Sequence, residues 1–260
     1  MTAPLIALVR DVSSTIAHCE LTHLAREPID PDRAAAQHRA YVAALEQLGC
    51  ELHWLAPEPA LPDAVFVEDT AVVVDEVAVV TRPGAPSRRP ETASVAAALA
   101  PYRPVATIDA PGTMDGGDVL QLGRTVFVGR SDRTNEAGIA QLARHLGAFG
   151  YDVRSVETHG CLHLKSAITE VADGMLLANP AWITPGVFPG QVIPVDPAEP
   201  YAANALRVGG MVIYAAAWSR TRCRLERCGV RVLPVDVSEL AKAEAGVTCC
   251  SLILRRTGSG

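Results

Sequence analysis

The stretch TMDGGDVLQLGRTVFVGRSDRTNEAGIAQLARHLGAFGYDVRSV, residues 113–156, holds one complete unit of the fold. Two short apolar runs, 119–122 and 125–128, flank Gly123-Arg124, which has the composition of a hairpin turn. The polar string Ser131-Asp132-Arg133-Thr134-Asn135-Glu136 then opens an amphipathic helical stretch. Gly147 or Gly150 stops it, and residues 151–156 return as a strand. The order is strand, strand, helix, strand.

Outward from this unit the theme repeats loosely. Asp30-Pro31-Asp32 opens a helix, with Pro31 suited to the first helical position after an aspartate cap. Ala35, Tyr41, Val42, Leu45 and Leu48 keep helical spacing, Gly49 stops the helix, and residues 51–55 alternate as a strand. Ser87-Arg88-Arg89-Pro90-Glu91 and Ser219-Arg220-Thr221-Arg222 are similar openings; Gly229 and then residues 230–235 close the last unit. A weaker unit begins near Asn179, and residues 64–67, 70–74 and 77–81 read as further short strands. The openings recur at roughly 40 to 60 residues, looser than a solenoid repeat. With no linker-like stretch, the expectation is α/β: one closed domain over 1–260 of about five ββαβ units, with 257–260 a candidate disordered tail.

Composition narrows the function classes. At 260 residues, 49% hydrophobic and 20% charged, the chain is a globular protein and neither disordered nor collagen-like. A formal charge of -6 with scattered arginines argues against nucleic acid and membrane surfaces as partners. The apolar run 4–9 is too short for a secretory signal, and the uncharged stretch 174–195 is broken by Pro180, Pro185, Pro189 and Pro194. The 7 cysteines are odd in number and lack zinc-ligand spacing, which suggests reduced thiols in a cytoplasm, most of them small buried apolar residues. Nothing resembles GxGxxG or a P-loop, so nucleotide binding is not expected.

Four segments place polar residues at strand ends. Phe66-Val67-Glu68-Asp69, with Asp63 before it, sets two adjacent carboxylates facing different ways, suited to different parts of one cation unless the segment is a solvated turn. In Thr113-Met114-Asp115-Gly116-Gly117-Asp118 the paired glycines permit close backbone approach or positive φ between two aspartates; a plain turn reads equally well. Leu162-His163-Leu164-Lys165 holds a histidine within an apolar alternation, either a hydrogen-bonded core residue or a general acid and base. In Gly246-Val247-Thr248-Cys249-Cys250-Ser251 one cysteine faces a site and its neighbour the core, and spacing alone does not choose between them. Together the four suit covalent catalysis on a cationic electrophile: thiolate, imidazole, and carboxylates neutralising the cation.

The strings FVEDTAVV, TRPGAPSRR, MDGGDVL, GRSDRTNEAG, LHLKS and VTCCSLIL, in this order from about Arg10 to Arg255, resemble the dimethylarginine dimethylaminohydrolase family of the guanidine-modifying superfamily. The resemblance implies a five-bladed α/β propeller, the pentein fold. It implies Cys249 as nucleophile, His163 as general acid and base, and Asp115 as the carboxylate assisting the histidine. Asp69 would hold the guanidinium, Glu68 and Asp63 would lie near the substrate's polar groups, and Arg88 and Arg133 would bind its α-carboxylate. Leu21 matches a lid position and Ala243 one whose backbone faces the substrate, though residues 11–20 align poorly. The implied reaction is hydrolysis of Nω-methylated arginine to citrulline and an alkylamine, without metal or organic cofactor.

Two alternatives stand beside it. Arginine deiminase resembles a longer chain with a helical insertion, and agmatine offers no carboxylate to Arg88 and Arg133. A catalytically silent relative would leave Cys249 unreactive toward alkylating agents. Oligomeric state, monomer or homodimer, is not legible.

Overall fold

A computed structural model describes residues 4–184 and 186–256. The expected tail, 257–260, lies outside the described residues. Among those described, the strands form five three-stranded mixed sheets, each with an antiparallel pair and a parallel pair sharing the middle strand.

β1 (Leu5–Val9) leads through α1 (Pro31–Gln47) to β2 (Cys50–Trp54), parallel to β1. The helix starts where the Asp-Pro signal puts it, because the Asp30 carboxylate accepts the Asp32 and Arg33 N–H groups at 3.0 and 3.1 Å. Its inner face, Ala34, Tyr41, Val42 and Leu45, packs with Val65, Ile213 and Leu240. The second unit runs β3 (Ala71–Val73), β4 (Ala78–Val80), α2 (Thr92–Leu99), β5 (Val105–Thr107). The third is β6 (Val119–Leu122), β7 (Thr125–Arg130), α3 (Glu136–Gly147), β8 (Asp152–Glu157), in the order read from the sequence.

In the fourth unit α4 (Leu164–Ala167) precedes β9 (Ile168–Ala172), β10 (Met175–Ala178) and β11 (Gln191–Pro194). The fifth is β12 (Ala205–Val208), β13 (Met211–Ala215), α5 (Ser219–Arg227), β14 (Val232–Val235). The short α6 (Ser238–Ala241) then leads to β15 (Leu252–Arg255), which pairs antiparallel with β1 and completes the first sheet. Apolar clusters fill the spaces between units; one joins Val72 and Val79 of the second to Val126 and Val128 of the third.

Residues 64–67, expected as a strand, are instead a turn over 64–65 and irregular backbone at 66, and Val67 opens a 3-10 helix over Val67–Thr70. A strand would send alternate side chains to opposite faces. The turns bury Asp63, Glu68 and Asp69 together. The opening at Ser87 is likewise a 3-10 turn, Pro86–Glu91, and α2 begins only at Thr92, past Pro90. Asn179 opens no helix. Its side chain accepts the Ala181 N–H at 3.0 Å in a local turn, and the prolines 180 and 189 keep the connection to β11 irregular. His163, read within an apolar alternation, stands at the N-cap position of α4 in extended backbone, its side chain making no cap bond.

No helix among the described residues is long and apolar enough to cross a membrane. All seven cysteines are free.

Candidate active site

All four segments picked from the sequence come just before a strand, including residues 66–69, expected to follow one. Glu68 and Asp69 come just before β3, Asp115 and Asp118 before β6, His163 before α4 and β9, and Cys249 before β15. Four of the five sheets thus receive polar side chains from the start of an edge strand.

Close packing of these loops depends on glycine. A Cβ on Gly117 would lie 2.6 Å from His163 Nδ1 and 2.8 Å from Asp69 Oδ1, so only a bare backbone fits. The Gly117 N–H donates to Asp69 Oδ1 at 3.0 Å. Of the two uses foreseen for the paired glycines, close approach is the one found.

His163 is buried between two carboxylates, with Nε2 3.2 Å from Asp115 Oδ2 and Nδ1 3.8 Å from Asp69 Oδ1. Burial alone would lower its pKa. Asp69, the hydrogen bond to Asp115, and Asp118 outweigh that and hold it at about 9. Asp69 in turn is held low despite its burial by His163 and Arg88.

Cys249 is half-buried and Cys250 fully buried, which resolves the choice of facing that spacing left open. Burial, reinforced by the charges of Glu68 and Asp69, pushes the Cys249 thiol up to about 12. The Gly246 N–H donates to its sulfur at 3.3 Å, and its carbonyl accepts the Glu68 N–H at 3.1 Å. The nucleophile loop and the acidic loop are therefore stitched together through backbone.

Glu68 accepts from Lys165 Nζ at 2.7 Å and from the Thr248 hydroxyl at 2.6 Å. Both Asp63 oxygens accept the Glu20 N–H, at 3.2 and 3.1 Å, and burial raises the pKa of Asp63. Arg133 sits against Asp115 at 3.9 Å and donates to the Thr22 hydroxyl at 3.0 Å. Leu21 is half-buried next to that threonine, and Ala243 is buried after α6. Arg88 meets anions of the protein itself: it grips both oxygens of Glu91 at 3.2 and 2.9 Å and donates to Asp69 at 2.6 Å. Its place ahead of a helix is thereby reconciled electrostatically.

Sequence reasoning assigned no role to Asp118. Its buried carboxylate accepts the Leu164 N–H at 3.0 Å and the Ser131 and Thr134 hydroxyls at 2.6 Å each. It thus joins the His163 loop to the Arg133 loop, and burial raises its pKa to about 6. The MDGGD string contains it, but only the fold shows what its second aspartate touches. Lys165, Thr248 and Glu91 were missed as well, although all three stand inside quoted strings or openings.

Ligand atoms of Asp69, Asp115 and His163 lie within 4.8 Å of one another, a spacing compatible with a metal ion. Each carboxylate oxygen of the pair already faces a donor: Gly117 N–H and Arg88 at Asp69, Gly84 N–H and His163 at Asp115. That donor set fits a proton-holding network better than a cation site.

Comparison with known proteins agrees. Residues 23–183 match the family described as N,N dimethylarginine dimethylhydrolase, eukaryotic. The chain is 43% identical over 251 residues to the N(G),N(G)-dimethylarginine dimethylaminohydrolase of Streptomyces coelicolor, covering 96% of each chain. Its fold superposes with a TM-score of 0.92 on a cysteine-to-serine mutant of the Pseudomonas aeruginosa dimethylarginine dimethylaminohydrolase complexed with citrulline, at 33% identity over 98% of this chain and 100% of the other. The N-terminal domain of ArgZ, a cyanobacterial arginine dihydrolase, shares the fold alone, with a TM-score of 0.86 at 18% identity over 97% of this chain and 98% of its own. Fold and sequence together define a hydrolase of the guanidine-modifying, or pentein, superfamily. Within it, the chain belongs to the dimethylarginine dimethylaminohydrolase family.

Proposed function

We propose that this protein hydrolyses Nω,Nω-dimethyl-L-arginine and Nω-methyl-L-arginine to L-citrulline and dimethylamine or methylamine. One observation carries the reading: His163 lies between the carboxylates of Asp69 and Asp115, which favour its charged form, and the same Asp69 acts on the half-buried Cys249 thiol. A buried imidazolium is a ready acid for an amine leaving group.

Asp69 and Glu68 hold the guanidinium and localise its charge, turning its carbon toward Cys249. With its pKa near 12, the free thiol is a weak nucleophile at neutral pH. A bound cation beside it favours ionisation, so the substrate helps to generate the thiolate that attacks it, the proton leaving to solvent. Sulfur forms a bond to the guanidinium carbon. The carbon–nitrogen bond to dimethylamine then breaks, its electron pair taking the proton from His163. The resulting S-alkylthiouronium is attacked by water, one of whose protons returns to neutral His163; the carbon–sulfur bond then breaks, the remaining hydroxyl proton passing to the departing sulfur, and citrulline is released. Arg133, with the remaining Nη1 proton of Arg88, receives the α-carboxylate, Asp63 the α-ammonium, and Leu21 and Ala243 close the pocket over them. No step requires a cofactor.

The five sheets are read as five blades of one propeller domain around a common axis. Support comes from the repeated strand order, the β15–β1 pairing, and the placing of Asp69, Asp115, His163 and Cys249 ahead of the antiparallel edge strands of four sheets. Seven unpaired cysteines favour a reducing cytoplasm.

Citrulline release from dimethylarginine, monomethylarginine, arginine and agmatine, in parallel with Cys249→Ser, tests the reading. Turnover confined to the methylated substrates and abolished in the variant is expected. Turnover of arginine or agmatine would keep the chemistry and replace the substrate; silence on all four would favour a non-catalytic binder.

A further inference from the structure

The turn after α6 is built on an uncommon residue. The Ala245 N–H donates to Leu240 O at 3.4 Å and the Glu244 N–H to Ala241 O at 3.1 Å, the two bonds of a Schellman stop. The residue that makes such a stop adopts left-handed backbone and is usually glycine. Here it is Glu244, at φ 58°, the one non-glycine residue with positive φ among those described. A Cβ is disfavoured there, so a side chain kept at this position calls for another explanation.

Its carboxylate supplies one. Oε2 accepts the Thr22 N–H at 3.0 Å, and Oε1 accepts the His23 N–H at 2.5 Å and the Leu24 N–H. Three successive amides converging on one anion form a backbone nest. Thr22 and His23 are exposed, so without Glu244 these amides would face water. The other end of the same segment is tied by the Glu20 N–H to Asp63, and its middle by the Thr22 hydroxyl to Arg133. On its own strand of chain, Glu244 stands between Ala243 and the Gly246 N–H that reaches the Cys249 sulfur.

We propose that Glu244 is a positioning residue, a latch whose carboxylate fastens segment 20–24, with Leu21 in it, to the loop that carries Cys249. The inference rests on the active-site reading above. A segment held in this way keeps water from the pocket and retains substrate, acting on binding more than on the bond-breaking steps.

Glu244→Gly separates a latch from a mere turn, since glycine relieves the left-handed strain while removing the carboxylate. If the residue only made the turn, Glu244→Gly would match or exceed the wild type. For a latch, Glu244→Gly melts no lower than wild type, yet amide exchange over residues 20–26 accelerates in the free protein. KM for dimethylarginine rises about tenfold with kcat within about threefold, the scale of losing hydrogen bonds to a charged group. Glu244→Gln, which keeps an acceptor but not the charge, falls between. Unchanged exchange in Glu244→Gly overturns the latch, and so does faster exchange with unchanged KM. Exchange is read without substrate, so a wild type inert toward methylarginines would sink the functional reading while leaving the latch to be decided by the amides.

Discussion

His163 shows how far a few neighbours can move one group. Asp69, Asp115 and Asp118 override the burial that would discharge it and hold its pKa at about 9, against about 6.5 in an unfolded chain. The folded state therefore binds this proton more tightly than the unfolded one. The associated stability is fully present below about pH 6.5 and drains away as pH rises through about 9, on the order of 3 kcal/mol in all. Urea unfolding of the wild type and of His163→Gln, at about pH 6 and about pH 9.5, should show the wild type losing more stability by roughly that amount. Equal losses in the two proteins would mean that the imidazole is not charged in the folded state. The sequence made this residue visible as a histidine in an apolar setting, but not its charge. That depends on carboxylates 48 residues before it in Asp115 and on the bare Gly117 backbone beside it, which are non-local facts.

At the scale of elements, legibility followed how local the deciding interaction is. α1 was readable because the Asp30 cap and the Pro31 start act within one turn of chain. The third unit was readable because its turn glycine, its Asn135 cap and its apolar runs agree with one another. Residues 64–67 were misread since their composition suits a strand, while burial of Asp63, Glu68 and Asp69 against Arg88 and Lys165 imposes turns. The irregular passage to β11 hid from periodicity for the opposite reason, having no pattern to find. Asp30→Ala tests the local end of this scale. Loss of two charge-assisted cap bonds at the surface should lower unfolding free energy by about 1 kcal/mol and leave citrulline release unchanged. A fall in activity with no change in stability would show that α1 positions the site rather than merely supporting it.

For the whole molecule, the first sheet joins strands far apart in the chain. β15 pairs with β1 along Leu5 to Leu8, and the Arg256 N–H donates to Pro4 O at 3.0 Å, so the first sheet is assembled from opposite ends of the described chain. Leu252 and Leu254 are buried there with Ile6, Leu8, Val67 and Leu99. That contact carries function, because β15 anchors the loop of Cys249 while β3, its neighbour across the cluster, anchors Asp69. Truncation after Ser251 should therefore abolish cooperative folding and turnover together, by exposing the Ile6 and Leu8 cluster and freeing the nucleophile loop. Opening the chain at an exposed loop tip should not. If five like units surround an axis, no unit is privileged as first. A permutant that joins residue 256 to residue 4 through a short linker and opens the exposed Gly209-Gly210 turn keeps every strand pair. It should melt cooperatively and release citrulline within about threefold of the wild-type rate, the tolerance expected when termini lie close and the cut falls at a loop tip. A permutant that folds but is inactive would place the catalytic geometry in the original order of the chain, and not in closure of the sheets.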